Sequence, residues 1–438
     1  MTLVVGMARS GVAAARLLKS RGESVFVTDS GKATASDQLN AVGIPWEAGQ
    51  HTLSHFLSAD EIVVSPGVPL NIKPLEAARE KGVPIISELE LASRYLKGEI
   101  VGITGSNGKT TTTTLVGAIL KAAGKTVQVG GNIGTAMCGL VDTSTPDTIN
   151  VVEVSSFQLD GIVKFRPRVA ALLNVTPDHL DRYPDFAAYR QSKFRIFMNQ
   201  RDDDIAVLNR DDANVFPPPF GFRPHPLLFS RTDGVSPGAF RFGGMLYLNG
   251  QAIMAASDVR LRGEHNIENV LASLAITSRY AVPAATLCRL IGEFDGVEHR
   301  IEYAGKIKGV EFFNDSKATN VDSSIKAVNS FERNVILILG GRDKGASYQP
   351  LVKAMDGKVK HVLLIGEAAE KIAAAIGTVS PTSRAQTLEE AVQQGLALSS
   401  PGDVVLLSPA CASYDMFENY EHRGRVFKSA VEELARNA

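Results

Sequence analysis

The sequence predicts an α/β protein of three domains: a Rossmann-like N-terminal sheet, a central P-loop ATPase-type α/β domain and a C-terminal doubly wound α/β domain. Three observations predict this. Short apolar strands alternate with amphipathic helices along residues 2–90 and again along 306–436, the pattern of parallel sheets with crossover helices. An apolar strand at 99–104 runs through Gly105-Ser106-Asn107-Gly108-Lys109-Thr110 into an Ala/Leu/Val-rich helix. The length, 438 residues, accommodates about three domains, each with its own core. We place them at residues 1–92, 93–296 and 297–438.

Composition narrows the function classes. Net charge is −1, with 44% hydrophobic and 21% charged residues, so nothing favours a nucleic-acid or membrane-surface partner over a small anionic ligand. Cys138, Cys288 and Cys411 are far apart and no CxxC occurs, which points to neither a disulfide framework nor a zinc site. There is no run of 18 apolar residues, and the chain starts on a strand without a basic, signal-like leader. A cytoplasmic monomer is the expectation.

In the first domain, strands are expected at 2–8, 24–29, 61–67 and 84–88, with helices at 11–21, 33–42 and 71–81. The turn Gly6 to Gly11 resembles GxGxxG but carries Ala8 at the middle glycine. Asp29 ends the second strand, near where a ribose-binding acid lies in dinucleotide folds. A sheet of this type that binds something other than NAD fits equally well. Ser65-Pro66-Gly67 closes a buried strand at the edge where open α/β sheets bind ligands, or is an ordinary turn.

The second domain opens with a helix at 91–97. In the P-loop, glycines let backbone N–H groups approach phosphate and the helix N-terminus adds partial positive charge. Lys109 would reach the β- and γ-phosphates and Thr110 would meet Mg²⁺. The full pattern wants glycine at position 103, where Ile103 stands, so a tight turn with an incidental lysine is the competing reading. Glu153 interrupts the apolar strand 149–159, and a charge there must be paired or bound to metal. Asp178, His179, Asp181 and Arg182 crowd the exit of the strand beginning at 169, a site candidate. Lys193 lies on a helix at 186–198, where a lysine is ordinarily solvated. Residues 203–260 read as β-rich. His265, Asn266 and Asn269, near the start of the helix that follows, are caps or contacts to adenine or phosphate. In the third domain, strands at 309–315, 335–341, 361–366 and 404–410 end in polar loops. Helices at 367–375, 388–398 and 414–436 cover them.

These motifs resemble the Mur ligase family, over essentially the whole chain and in the family's order. They are SPG at 65–67, GSNGKTTTT at 105–113, GGNIG at 130–134, EVSSFQL at 153–159, NVTPDHLDRY at 174–183 and YRQSKFRIF at 189–197. GEHNIEN at 263–269, HR at 299–300, NDSKATN at 314–320, LGGRDKG at 339–345 and LSPACASYDMF at 407–417 complete the set. Family members carry the short GxxGK loop. Asn107 stands where the alanine-adding member typically has histidine, and SPACAS differs from the corresponding motif of the diaminopimelate- or lysine-adding member.

The resemblance implies an ATP-dependent ligase that adds D-glutamate to UDP-N-acetylmuramoyl-L-alanine through an acyl phosphate. It implies two Mg²⁺ ions, held by Thr110, Glu153, His179 and an N-carbamylated Lys193, with Lys109, Glu153, His179 and Lys193 as the catalytic set. Matching positions for ATP are Gly105, Asn107, Gly108, Lys109, Thr110, Thr111, Asn269, Arg300, Asp315 and Lys317. Those for the UDP-sugar are Ser10, Asp29, Ser30, Ser65, Gly67, Asn132 and His179. Those for D-glutamate are Asp178, Thr319, Lys344, Ser413 and Tyr420. The chain departs from the family after Asp29, where Ser30-Gly31 replaces the usual Thr-Arg. Lys32 or Arg9 would then supply the charge for the diphosphate. Linkers at 91–97 and 294–300 imply that the third domain swings in to complete the site. A folate polyglutamate-type ligase is disfavoured by the N-terminal domain. A dinucleotide oxidoreductase rests only on Gly6–Gly11, and a sensing protein without turnover would need a damaged site.

Overall fold

The computed structural model describes residues 1–438 except Lys32, Thr34, Leu180, Asp181, Phe220, Asn437 and Ala438. Of the residues weighed above, Lys32 and Asp181 lie outside the described ones. Three sheets carry the architecture. The first is five-stranded and parallel, in the order Trp46–Ala48, Val25–Asp29, Thr2–Val5, Glu61–Val64, Ile85–Ser87. The order reverses between Thr2–Val5 and Glu61–Val64, so their exits, Gly6 and Ser65, flank the crevice where such sheets bind ligands.

The second sheet has nine strands. Its parallel part includes, side by side, Val169–Leu172, Glu99–Thr104, Ile149–Glu153 and Val127–Gly131. In register, Ile103 and Gly131 flank Glu153 on either side. The far edge ends in antiparallel strands Gly238–Phe242, Met245–Leu248 and Gln251–Ala255, which accounts for the β-rich reading of 203–260. The third sheet runs Glu302–Ile307, Val310–Asn314, Val404–Leu407, Val335–Gly340, Val359–Ile365, Thr382–Arg384, with only the first pair antiparallel. Its central strands are buried throughout, as expected of β-branched and leucine runs covered on both faces.

The described chain forms two compact units. One comprises residues 1–258 and 268–293, and holds the first two sheets; the other comprises 259–267 and 294–438. Several helix starts carry side-chain caps. Ser155 and Gln158 form a reciprocal capping box at helix Ser156–Asp160, and the Asp185 carboxylate accepts the Ala188 N–H at 2.8 Å before helix Phe186–Phe194.

Several elements differ from expectation. The last helix starts at Tyr420 rather than near 414, because Asn419 caps it by accepting the His422 N–H at 2.7 Å. The helix expected at 33–42 is confined to Ser36–Asn40, and the short strand Trp46–Ala48 and helix Leu53–Ser58 were not anticipated. Elements this brief carry too little periodicity to read. The helix expected at 91–97 is Glu88–Ser93, capped by Ser87, and two of its glutamates are buried.

Candidate active site

The P-loop sits between strand Glu99–Thr104 and helix Lys109–Ala122. Gly108 has φ of +83°, a left-handed conformation that favours glycine, and a Cβ there would fall 2.2 Å from Asn269 Oδ1. The loop is tied down from the next strand's exit. Asn174 Oδ1 accepts the Asn107 N–H at 2.8 Å, and Ser106 N–H donates to the Asn174 carbonyl at 2.9 Å. Lys109 Nζ donates to the carbonyls of Gly105 and Ser106, and Thr110 and Thr111 are buried in the first helical turn.

Lys193 is the unexpected member on grounds of local sequence. It is 2% exposed, and its Nζ donates to the same Gly105 carbonyl at 2.9 Å. Burial, reinforced by the nearby Lys109 charge, pushes its ammonium well below the ordinary lysine range, while Asp178, Asp160 and Glu153 oppose the shift. The ring of Tyr189, one helical turn away, lies 4.7 Å from Nζ, and the Tyr189 hydroxyl is 3.1 Å from Ser106 Oγ.

Glu153, the last residue of its strand, is 2% exposed. Asn132 Nδ2 donates to its Oε1 at 2.8 Å, whereas Oε2 is buried with no hydrogen-bond partner. A buried carboxylate oxygen left unsatisfied is costly unless a cation meets it. This donor set, with the Thr110 hydroxyl nearby in the loop's helix, fits a hard divalent cation that prefers oxygen ligands. His179 has φ of +54° and a half-exposed ring 4.8 Å from that of Phe157, with Asp178 beside it.

At the crevice of the first sheet, Asp29 accepts N–H groups from Met7 at 2.6 Å and Gly31 at 2.7 Å. It thereby braces the first turn. Ser65 Oγ is buried against Gly6 and Gly11, where a Cβ would meet it at 2.7 and 2.9 Å. Arg9 Nη2 donates to the Asn132 carbonyl at 3.1 Å, which places that cation beside Asn132; Ser10, Ser30 and Gly67 belong to the same unit.

The second unit gathers its own candidates at adjacent strand exits. Asp315 accepts from Ser408 Oγ at 2.8 Å and from the Ile301 N–H at 3.3 Å, and burial raises its carboxyl to about 7 against the pull of Arg300. Lys344 Nζ is 3.4 Å from Thr319 Oγ1, and Lys317 Nζ lies 5.5 Å from the Tyr420 ring centre. Ser413 is buried. Asp178 belongs to the first unit, apart in the chain's division from the other D-glutamate candidates; Asn269 likewise belongs with the P-loop and not with Arg300, Asp315 and Lys317.

Arg423 escaped the sequence reading. It is fully buried and joins two candidate loops, donating from Nε to Ser316 Oγ at 2.9 Å, from Nη2 to the Ser316 carbonyl at 2.8 Å and from Nη1 to the Cys411 carbonyl at 3.2 Å. A signal existed: Arg423 falls in phase with Phe427, Ala430 and Val431 on the helix's buried face. Elsewhere Glu298, His299 and Glu302 cluster at metal-ligand distances, but Lys428 Nζ bridges both carboxylates and supplies the positive charge there.

Comparison with known proteins identifies the family. Family models match residues 1–87 (Mur ligase MurD-like, N-terminal domain), 103–277 (Mur ligase middle domain) and 299–411 (Mur ligase, glutamate ligase domain). The chain is 45% identical to the UDP-N-acetylmuramoylalanine–D-glutamate ligase of Koribacter versatilis, covering 99% of this chain and 97% of that one. It is 46% identical to the ligase of the same name from Trichlorobacter lovleyi, covering 99% and 98%. Among solved structures, the UDP-N-acetylmuramate-alanine ligase of Thermotoga maritima superposes with a TM-score of 0.63 at 20% identity, covering 100% and 99%. The MurF ligase of the same organism, in complex with ADP, gives 0.63 at 17% identity, covering 94% and 96%. These two likenesses speak for the fold.

Proposed function

Because the chain belongs to the Mur ligase family, we propose that the P-loop, Glu153, His179 and Lys193 form the reaction centre of its ligase activity. The protein is an ATP-dependent ligase that joins D-glutamate to UDP-N-acetylmuramoyl-L-alanine in peptidoglycan precursor synthesis. The observation that supports this reading is the convergence on one loop of two lysine side-chain nitrogens, at the Gly105 carbonyl, beside a buried carboxylate with an unsatisfied oxygen.

The donor carboxylate attacks the γ-phosphorus of ATP, ADP leaves, and an acyl phosphate forms. The D-glutamate amine then attacks the acyl carbon, and phosphate departs with the amide made. Every species on this path is anionic, so catalysis is positioning and charge neutralisation. Lys109 supplies fixed positive charge to the transferring phosphoryl group. Thr110, Glu153, His179 and Lys193 would hold two Mg²⁺ ions, which would supply further positive charge to the anionic reactants. For Lys193 to serve, its neutral amine must add CO₂ and release a proton to solvent, leaving a carbamate anion; burial favours the neutral amine, which supports that modification. Gly105, Asn107, Gly108, Thr111 and Asn269 hold the nucleotide, with Arg300, Asp315 and Lys317 as further contacts. Ser10, Asp29, Ser30, Ser65, Gly67 and Asn132 hold the UDP-sugar, and Arg9 takes the diphosphate charge that the family's usual arginine supplies. Lys344, Thr319, Ser413 and Tyr420, with Asp178, read the acceptor. No described helix is long and apolar enough to cross a membrane, and we place the enzyme in the cytoplasm as a monomer of three domains, 1–92, 93–296 and 297–438.

Phosphate release from Mg-ATP with the UDP-sugar donor tests the assignment, with D-glutamate compared against L-alanine, L-glutamate, L-lysine and meso-diaminopimelate. Release with D-glutamate alone is expected. Release with another amino acid moves the specificity elsewhere in the family.

A further inference from the structure

Arg182, one of the residues that crowd the strand exit beside His179, has no place in the ATP, UDP-sugar, D-glutamate or metal sets. Its guanidinium donates from Nη1 to the Gly67 carbonyl at 3.3 Å and from Nη2 to the Val68 carbonyl at 3.2 Å. Both acceptors lie in the turn that follows strand Glu61–Val64 at the crevice of the first sheet. The guanidinium carbon also lies 4.4 Å from the centre of the Phe157 ring. A guanidinium suits this double task, because its edge donates while its flat face stacks.

Phe157 carries the contact onward. Its ring meets His179 edge-on, with centres 4.8 Å apart, and stacks at 12° on Tyr183, 5.9 Å away. Tyr183 is anchored in turn, its hydroxyl donating to Asp160 Oδ2 at 2.7 Å. His179 needs such support, since its left-handed backbone is costly for a residue with a Cβ and persists only where neighbours hold it. A cavity of about 480 Å³ runs along this path, lined by Ser65, Asn71, Phe157, Asp160, Arg182 and Tyr183.

We propose that Arg182 is a positioning residue that couples the 65–68 turn to His179 through the face of Phe157. The inference rests on the reading that Ser65 and Gly67 hold the UDP-sugar and that His179 serves the reacting carboxylate. Donor binding orders the turn, the turn's two carbonyls orient the guanidinium, and the guanidinium holds the ring on which His179 rests. One rigid path thus links the sugar end of the donor to its reacting end.

The test is steady-state kinetics of Arg182→Ala and Arg182→Lys, alone and in a His179→Ala background, with thermal unfolding as the folding control. Loss of two hydrogen bonds from a charged donor is expected to lower kcat by about 10- to 100-fold, with the KM values for ATP and D-glutamate unchanged. Arg182→Lys keeps the charge but loses the fork and the stacking face, and is expected to recover only part of that loss. In the His179→Ala background, removing Arg182 is expected to cost less than about threefold, because residues that act through one another are not additive. An unchanged kcat in Arg182→Ala overturns the coupling. An equal loss in both backgrounds also overturns it, and a rise in donor KM of the same factor in both makes Arg182 a direct donor contact instead. If His179→Ala alone retains the parent kcat, the reading of His179 falls first and the coupling with it. Should Arg182→Ala fail to fold, the lysine variant and its His179→Ala double decide the matter alone.

Discussion

Replacing Glu90 with alanine should unfasten the helix Glu88–Ser93 from the central part of the first unit. Its side chain is fully buried, and Oε2 accepts three backbone N–H groups, from Val163 at 2.9 Å, Lys164 at 2.9 Å and Phe165 at 2.8 Å. A hydrogen bond to a charged group contributes about 1.5–3 kcal/mol net. Burying the carboxylate costs several kcal/mol, which offsets part of the three bonds. Glu90→Ala additionally strands the buried Phe165 N–H and the partly buried N–H groups of Val163 and Lys164, so the expected destabilisation is about 3–5 kcal/mol, near the upper end for single substitutions. Glu90→Gln keeps a neutral acceptor oxygen and should cost about half as much. Urea unfolding followed by circular dichroism measures both, and fluorescence of the single tryptophan, Trp46, reports separately on the first sheet. An alanine variant within about 1 kcal/mol of the parent, or a glutamine variant as damaged as alanine, would refute the reasoning that the ionised oxygen holds this turn.

Other perturbations probe the proposed reaction centre and the second unit. Lys193→Met should lower kcat by at least about 100-fold, and bicarbonate should raise the activity of CO₂-depleted parent enzyme but not of the variant, with a carbamate carbon visible by ¹³C NMR in the parent alone. Gly108→Ala forces a left-handed backbone on a residue with a Cβ and drives that atom into Asn269, so ATP affinity should fall more than about tenfold by titration. Glu153→Gln removes the charge behind the buried oxygen and should weaken Mg²⁺ binding, raising the Mg²⁺ needed for half-maximal phosphate release. Burial lifts Asp315 from the ordinary 3.8 to about 7, so between those values the folded protein keeps a proton that the unfolded chain has lost. Stability from this group is therefore full below about pH 4 and is lost as pH rises through 7. Asp315→Asn should flatten that slope in urea midpoints measured from pH 4 to 8.

Much of the molecule is legible in the chain because the responsible interactions are local. The strand, glycine turn and helix around Gly105–Thr110 are contiguous, and their conformational demands are written in the glycines themselves. The strands 335–340 and 404–407 announce burial on both faces by their unbroken apolar runs. Glu153 stands out for a related reason, as a charge at the end of such a run. By contrast, Lys193 reads as an ordinary helical lysine until packing removes its water, and desolvation is a property of the folded surroundings rather than of the residue.

The sequence by itself determined the three-sheet α/β architecture, the phosphate loop and, through its ordered motifs, the ligase chemistry. Tertiary structure alone decided which charges are buried and what meets them. The Asn132 amide reaches Glu153, and the Lys193 Nζ reaches the Gly105 carbonyl. Arg423 bridges Ser316 to Cys411, and Arg182 joins the 65–68 turn to Phe157. Each of these pairs is separated by 12 to 115 residues or depends on a ring from another element. No periodicity connects such partners; only the closing of sheets brings them into the low-dielectric interior, where a single hydrogen bond or an unsatisfied oxygen becomes worth kilocalories.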